Sequence, residues 1–194
     1  MAIRNPSLIL ASASPRRKQL LTQAGYKFGV YPSSVDESGF EAEHPGPCEY
    51  AERLALAKAK DVAQNYPDSL VIGADTIAEV EGRVIGKPAD AEHAEEIVRL
   101  LFSTSHKVIT GVAIVKAAEG IEIVDSDATV VYPKKMSDEQ IAEHIAGGSW
   151  QGKAGAYAIQ ETGDEFIERI EGSLTNVMGL PMELLEGLLK PLLK

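Results

Sequence analysis

Two strand–turn–strand units, set in a chain that otherwise alternates strand and helix, limit the fold of this sequence more than any other feature. Residues 70–80 form a long apolar run that reads as a strand. Glu81-Gly82 follows, a pair suited to a tight turn, so residues 83–85 read as the hairpin partner of that strand. Residues 107–117 and 121–132 repeat the arrangement around Glu119-Gly120. Strands joined this closely must run antiparallel. Elsewhere, residues 7–13 read as a buried strand and 15–24 as a helix closed by Gly25, with an alternating strand at 27–35. The acidic, glycine- and proline-bearing stretch 37–47 reads as a loop. Helices are expected at 49–65, at 89–101 and from Ser137 to Gly147-Gly148, and short strands at 156–160 and 166–170. A last helix after Pro181 finishes the segment 174–193. Hairpins mixed with strand–helix alternation imply an α/β fold with a mixed sheet, not a purely parallel one. The 194 residues fit a single domain, 1–194, that can bury a sizeable core and leave a cleft.

Composition removes several classes of function. The formal charge of −10 argues against a nucleic acid polymer as the main partner. It leaves room for a small polyanion, which needs only a local cluster of cations. No apolar run approaches the roughly 20 residues of a membrane span, and the first residues lack a secretory apolar core, so a cytoplasmic protein is expected. One cysteine, Cys48, excludes an internal disulfide and a cysteine-rich metal site. The histidines at 44, 93, 106 and 144 show no metal-ligand spacing, and His93 and His144 are expected to be solvated on polar helices. No Gly-x-Ser-x-Gly, Cys–His or Walker-type pattern is present.

Within this frame a few residues stand out. After the first strand come Ser12, Ala13, Ser14, Pro15 and then Arg16-Arg17-Lys18. Ser14 is a natural N-cap, and Pro15 suits the first helical position. Cations at a helix N-terminus oppose its dipole, so three in a row in an acidic chain call for a reason. Free N–H groups, the hydroxyls of Ser12 and Ser14, and the guanidinium groups of Arg16 and Arg17 would together seat a phosphate chain. The alternative is a solvated first turn. Asp75 sits in an otherwise almost wholly apolar strand, where a carboxylate is costly unless paired, hydrogen-bonded or bound to metal. By strand alternation it shares a face with Val71, Gly73 and Ile77, while Thr76 points the other way. If Gly73 admits a ligand, Asp75 borders the same space. Lys58 interrupts an apolar helical stripe of Ala51, Leu54, Ala55 and Val62, so it either snorkels to solvent or points into a cleft. Glu37 at the start of the loop and Lys87 between Gly86 and Pro88 are weaker signals by themselves. The small residues of 152–158 suit close approach to a flat base, and Gln160 could read a pyrimidine edge.

These pieces also carry a resemblance. Ser12-Ala13-Ser14-Pro15-Arg16-Arg17, Val35-Asp36-Glu37, Arg53-Leu54-Ala55 with Lys58-Ala59, Gly73-Ala74-Asp75-Thr76, Gly86-Lys87-Pro88, Thr110-Gly111-Val112-Ala113, Lys153-Ala154-Gly155-Ala156-Tyr157 and Gly179-Leu180-Pro181 follow one another in the order of a known pattern. The sequence resembles the Maf family of nucleoside triphosphate pyrophosphatases over nearly its whole length. The resemblance implies a Maf/ITPase-like fold, with two lobes around an elongated sheet and a central cleft. It implies hydrolysis of a nucleoside triphosphate to the monophosphate and pyrophosphate by water attack on the α-phosphorus. In it Asp75 is the general base or a metal ligand, and Glu37 with Asp75 holds Mg²⁺ or Mn²⁺. Ser12, Ser14, Arg16, Arg17, Lys58 and Lys87 bind the phosphates. An arginine of the first motif (Arg16 or Arg17), Thr76 and Gln160 mark the branch acting on dTTP and UTP. A sister branch acts on 7-methyl-GTP, and a regulatory role in cell division and septum formation is associated with the family. A homodimer is implied in the same way. The sequence departs from the pattern at Gly152, where an acidic residue is common, before His106, where a Ser-Gly step is missing, and at Leu174, which replaces an aromatic residue.

Overall fold

The apolar run at 70–80 becomes the spine of the sheet because both of its edges find partners, though one edge only in part. The computed structural model describes residues 7–40, 46–157 and 166–193. The chain runs β1 (Leu8–Leu10), α1 (Pro15–Gln23), β2 (Gly29–Val30), α2 (Pro47–Ala63), β3 (Leu70–Val80), β4 (Arg83–Ile85), α3 (Ala91–Leu101), β5 (His106–Lys116), β6 (Ile121–Pro133), α4 (Asp138–Ala146), β7 (Ile167–Glu171), α5 (Leu174–Val177) and α6 (Met182–Leu189). Short 3-10 turns lie at Glu37–Phe40, Ala117–Glu119 and Ala154–Ala156. The seven-stranded sheet has the order β2-β1-β3-β5-β6-β7, with β4 also beside β3. β1 pairs parallel with β2 and β3, and all other pairings are antiparallel. Both expected hairpins form, and Glu81 and Gly82 take the positive φ values (50° and 81°) that the tightest turns require.

Along one edge of β3, β1 covers only Leu70 to Ile72 and β4 only Ala78 to Val80. Among the described residues the stretch 73–77 therefore has no strand neighbour on that side, while on the other side β5 pairs along it continuously. Asp75 and Thr76 sit in this gap. Side chains from both faces of the sheet can reach the same opening there.

One face is covered by α2. Ala55, Ala59 and Val62 pack with Ile9, Val71, Ala113 and Val115, and Tyr50, Ala51 and Leu54 pack with Ile77 and Ile109. Gly73 and Gly111 let that helix come close: a Cβ on Gly73 would lie 2.1 Å from the Ala55 carbonyl oxygen, and one on Gly111 2.4 Å from that of Ala51. The space at Gly73 thus belongs to a helix, not to a ligand. The opposite face carries two separate cores. Leu8, Leu10, Leu21, Ile72, Leu180 and Leu185 form one, from β1, α1, β3 and α6. Ala78, Val98, Leu101, Ile141, Trp150 and Tyr157 form the other, around α3 and α4. Two cores on one face, with an opening between them, make the expected lobes and cleft.

Several boundaries differ from expectation. The alternating pattern at 27–35 yields only two strand residues, because β1 turns into α1 after Leu10 and leaves nothing further to pair with. The second helix begins at Pro47, not 49, since proline fits its first turn. A strand at 156–160 does not start: Gly155 and Ala156 both have positive φ (72° and 58°), which a strand does not tolerate, and residues 158–160 lie outside the described residues. No helix among the described residues is long and apolar enough to cross a membrane.

Candidate active site

The turn from β1 into α1 forms as its residues predict. Ser14 is extended and caps α1, its Oγ accepting from Arg17 N at 3.5 Å, and Pro15 opens the helix. Ser12 Oγ accepts from Ser14 N at 3.2 Å, which curls the two hydroxyls around the helix start. This turn forms one wall of a cleft of about 420 Å³ whose lining includes Ser12, Ser14, Arg16, Arg17, Glu37, Lys58, Asp75, Thr76 and Lys87. Nine of the ten residues singled out from the sequence therefore meet in one place. The tenth, Gln160, lies outside the described residues.

Lys58 occupies the middle of the charged group. Its Nζ donates to Asp75 Oδ1 at 2.6 Å and lies 2.7 Å from Glu37 Oε1. Lys87 Nζ donates to Glu37 Oε2 at 2.6 Å. Lys58 points into the cleft and does not snorkel to solvent, because the carboxylate of β3 draws it inward across the α2 face. Asp75 is buried in an apolar strand, so this pairing compensates its charge. Partial burial alone would raise the Glu37 pKa, but the hydrogen bonds from Lys58 and Lys87 outweigh it and lower the pKa to about 2.

Arg17 does something the sequence did not reveal. Its Nε donates to the Gly179 carbonyl at 2.8 Å, and Nη1 to the Ala74 carbonyl at 2.8 Å and Ser12 Oγ at 3.1 Å. Its Nη2 donates to Thr76 Oγ1 at 3.0 Å. The Ala74 carbonyl lies in the unpaired stretch of β3, so the guanidinium replaces a missing strand neighbour there. These bonds engage most of the donors expected to face a phosphate chain. Burial lowers the Arg17 pKa and Arg16 lowers it further, while Asp75 and Glu37 pull it back up. Thr76 also approaches Thr110 Oγ1 at 3.0 Å, and Thr110 donates to the Asn176 carbonyl at 3.1 Å. Thr110 was legible in the same way as Asp75, as a polar residue in an apolar strand. Gly179 contributes a carbonyl, which no side-chain pattern announces.

Two expectations about histidines are corrected or refined. His144 is not solvated: it is buried, and its Nε2 donates to the Ala156 carbonyl at 2.8 Å, because α4 turns that side against the second core. His93 is exposed, and its Nδ1 accepts from Ala89 N at 3.2 Å.

Among the described residues no group of three or more His, Cys, Asp or Glu side chains forms a metal cage. Glu37 and Asp75 nevertheless converge on one cation, the Lys58 ammonium. Two carboxylates at the edge of an open cleft fit an ion such as Mg²⁺, which takes its remaining ligands from phosphate and water.

A family model described as Maf-like protein matches residues 7–192. The chain belongs to this family. Among curated relatives, it is 47% identical over 183 residues to the dTTP/UTP pyrophosphatase of Elusimicrobium minutum, covering 94% of this chain and 97% of that protein. It is 45% identical over 186 residues to the dTTP/UTP pyrophosphatase of Pelotomaculum thermopropionicum, covering 94% and 95%. A solved HAM1 protein from Coxiella burnetii aligns with 66% of this chain and 73% of its own at a TM-score of 0.42 and 14% identity, a likeness too slight to argue from. Of the first-motif arginines, Arg17 bonds Thr76 from the side of α1 that faces β3.

Proposed function

We propose that this chain is a single Maf-like domain that hydrolyses nucleoside triphosphates, with dTTP and UTP preferred, to the monophosphate and pyrophosphate, and that it acts in the cytoplasm on the nucleotide pool. The observation that carries the assignment is the carboxylate pair, Glu37 and Asp75, joined by Lys58 at the unpaired stretch of β3 in a cleft otherwise charged by cations. The similarity to curated dTTP/UTP pyrophosphatases over nearly the full length supports the substrate class.

Four cations (Arg16, Arg17, Lys58 and Lys87) face two carboxylates in the cleft, so it is locally positive in an acidic chain. A triphosphate carries roughly four negative charges, and such a cleft with one divalent ion balances them. Ser12, Ser14 and the N–H groups opening α1 receive phosphate oxygens. Arg16 and Lys87 add charge there, and Lys58 turns from the carboxylates to the phosphates once its place between them is taken. Asp75 orients a water at the α-phosphorus and accepts its proton as the new P–O bond forms. The bond from the α-phosphorus to the bridging oxygen breaks, and pyrophosphate leaves with the displaced electron pair. Arg17, held by Gly179 and Ala74, presents Thr76 to the nucleoside, and Gln160 completes the reading of the base. Glu37 and Asp75 would hold Mg²⁺ or Mn²⁺, which would supply charge neutralisation and a more acidic water.

The test is pyrophosphate release with Mg²⁺ from dTTP, UTP, CTP, GTP and 7-methyl-GTP, with Asp75→Asn in parallel. Release from dTTP and UTP that falls at least about 100-fold in the variant, with its circular dichroism unchanged, is the expected result. Release from 7-methyl-GTP alone would keep the chemistry and overturn the base preference. A folded wild-type protein inert towards all five would point to a regulatory binding role.

A further inference from the structure

The cleft lining is of two kinds. Its charged residues are described above; Val108, Ala154, Tyr157, Val177 and Met178 also line it and carry no charge. If the cleft takes a nucleotide, as proposed above, the polyanion goes to the cations, the charged end, and the flat, uncharged base to these uncharged residues, the nucleoside end. The wall there is the turn at 154–157, and its backbone is not relaxed. Gly155 and Ala156 both adopt positive φ, uncommon for an alanine. A Cβ on Gly155 would come within 3.0 Å of Leu101 Cδ1 and 3.3 Å of Ala78 Cβ, so the turn is pressed against the second core. Such a turn persists only if its surroundings hold it.

Two buried histidines, neither with a part in the hydrolysis, do so. His144 Nε2 donates to the Ala156 carbonyl at 2.8 Å. His106, 2% exposed, lies with Nδ1 3.1 Å from the Leu101 carbonyl and Nε2 2.6 Å from the Tyr157 hydroxyl. A carbonyl can only accept, so Nδ1 carries the proton, and the neutral ring accepts from Tyr157 through Nε2. Burial lowers the His106 pKa, outweighing the backbone hydrogen bonds to Thr104 and Leu101, and so favours this neutral form. The Tyr157 ring is also held edge-on by Phe102, with centroids 5.3 Å apart at 77°. The Gly155 N–H donates to the Gly86 carbonyl at 3.1 Å, which ties the same turn to the residue before Lys87.

We propose that His106 is a positioning residue for the nucleoside end of the cleft: through Tyr157, with His144 on the adjacent carbonyl, it sets the wall against which the base lies. The inference rests on the nucleotide hydrolase assignment, and its test separates the two. Glutamine in place of histidine keeps a polar group near Nε2, and asparagine keeps one near Nδ1. His106→Gln therefore retains the link to Tyr157, whereas His106→Asn retains a backbone link on the Nδ1 side and loses Tyr157. Calorimetry with EDTA present, which prevents turnover, would measure binding of dTTP and of inorganic tripolyphosphate, which uses the charged end alone. We expect His106→Asn and Tyr157→Phe to weaken dTTP binding roughly three- to tenfold, the worth of one hydrogen bond, with tripolyphosphate binding unchanged and His106→Gln close to wild type. Equal dTTP affinity in the Gln and Asn variants, or parallel losses for both ligands, would overturn the positioning role. A wild-type protein that binds dTTP no more tightly than tripolyphosphate would mean that the base meets no such wall and would overturn this inference, whereas the nucleotide assignment falls if dTTP is neither bound nor hydrolysed.

Discussion

Lys58 holds one ammonium between two carboxylates, and its removal has two consequences. Asp75 is left in an apolar strand without its cation, which costs about 3 kcal/mol. At the same time the carboxylates become free to bind a metal. Lys58→Met should therefore unfold at lower urea concentration than wild type, and Mn²⁺ should recover part of the loss without any nucleotide. Equal Mn²⁺ affinity in wild type and variant, measured by electron paramagnetic resonance, would show that Lys58 does not compete with the ion. Glu37 gives a second expectation. Its pKa falls from 4.5 to about 2 on folding, so its ionised form stabilises the fold fully above pH 4.5. That contribution is lost as the pH drops through the folded value. The gap in melting temperature between wild type and Glu37→Gln should be constant above about pH 5 and close between pH 4.5 and 2. A gap that does not change with pH would mean that the contacts to Lys58 and Lys87 do not persist in solution.

The placement of α2 decides where Lys58 and Asp75 meet, and Gly73 and Gly111 decide the placement of α2. The 2.1 Å approach of a Cβ at Gly73 to a backbone oxygen leaves nothing flexible to yield. Gly73→Ala should lower stability by about 3 kcal/mol and the melting temperature by roughly 10 °C. Activity should fall more than stability explains, since α2 carries Lys58 away from Asp75. Gly187 supplies the contrast. It lies exposed in α6 with nothing near a Cβ, so Gly187→Ala should gain up to about 1 kcal/mol. Scanning calorimetry of both variants checks the pair, and similar losses in each would contradict the close-packing account.

Across the whole molecule, charge is divided unevenly. The chain carries −10, yet the cleft lining holds more cations than anions. Net charge predicts that salt helps a nucleotide bind by screening repulsion; the local field predicts the reverse. We expect KM for dTTP to rise between about 0.05 and 0.5 M salt with kcat little changed, because the nearby charges dominate over distant ones. A KM that falls across that range would mean that the global charge governs the encounter. The same unevenness shows in the packing: among the described residues one face of the sheet is covered mainly by α2 and the other by two cores with the cleft between them.

The sequence by itself determined the features that depend on neighbouring residues. The hairpin at Glu81-Gly82, the Ser14-Pro15 helix start, the apolar stripe of α2 and the mixed sheet all follow from local backbone preferences and periodicity, and Asp75 and Lys58 were visible as charged groups in apolar surroundings, whereas Glu37 and Lys87 were weak signals by themselves. Tertiary structure alone decided their partners. Gly73 was legible as a point of close approach but not as the seat of α2, and Asp75 as a carboxylate needing a cation but not as one paired with Lys58. The bonds that Arg17 makes and the burial of His144 were equally out of reach. The reason is that strand order sets these contacts: among the described residues β3 lacks a neighbour at 73–77 because β1 reaches only to Ile72 and β4 covers only Ala78 to Val80, and no local pattern encodes that gap.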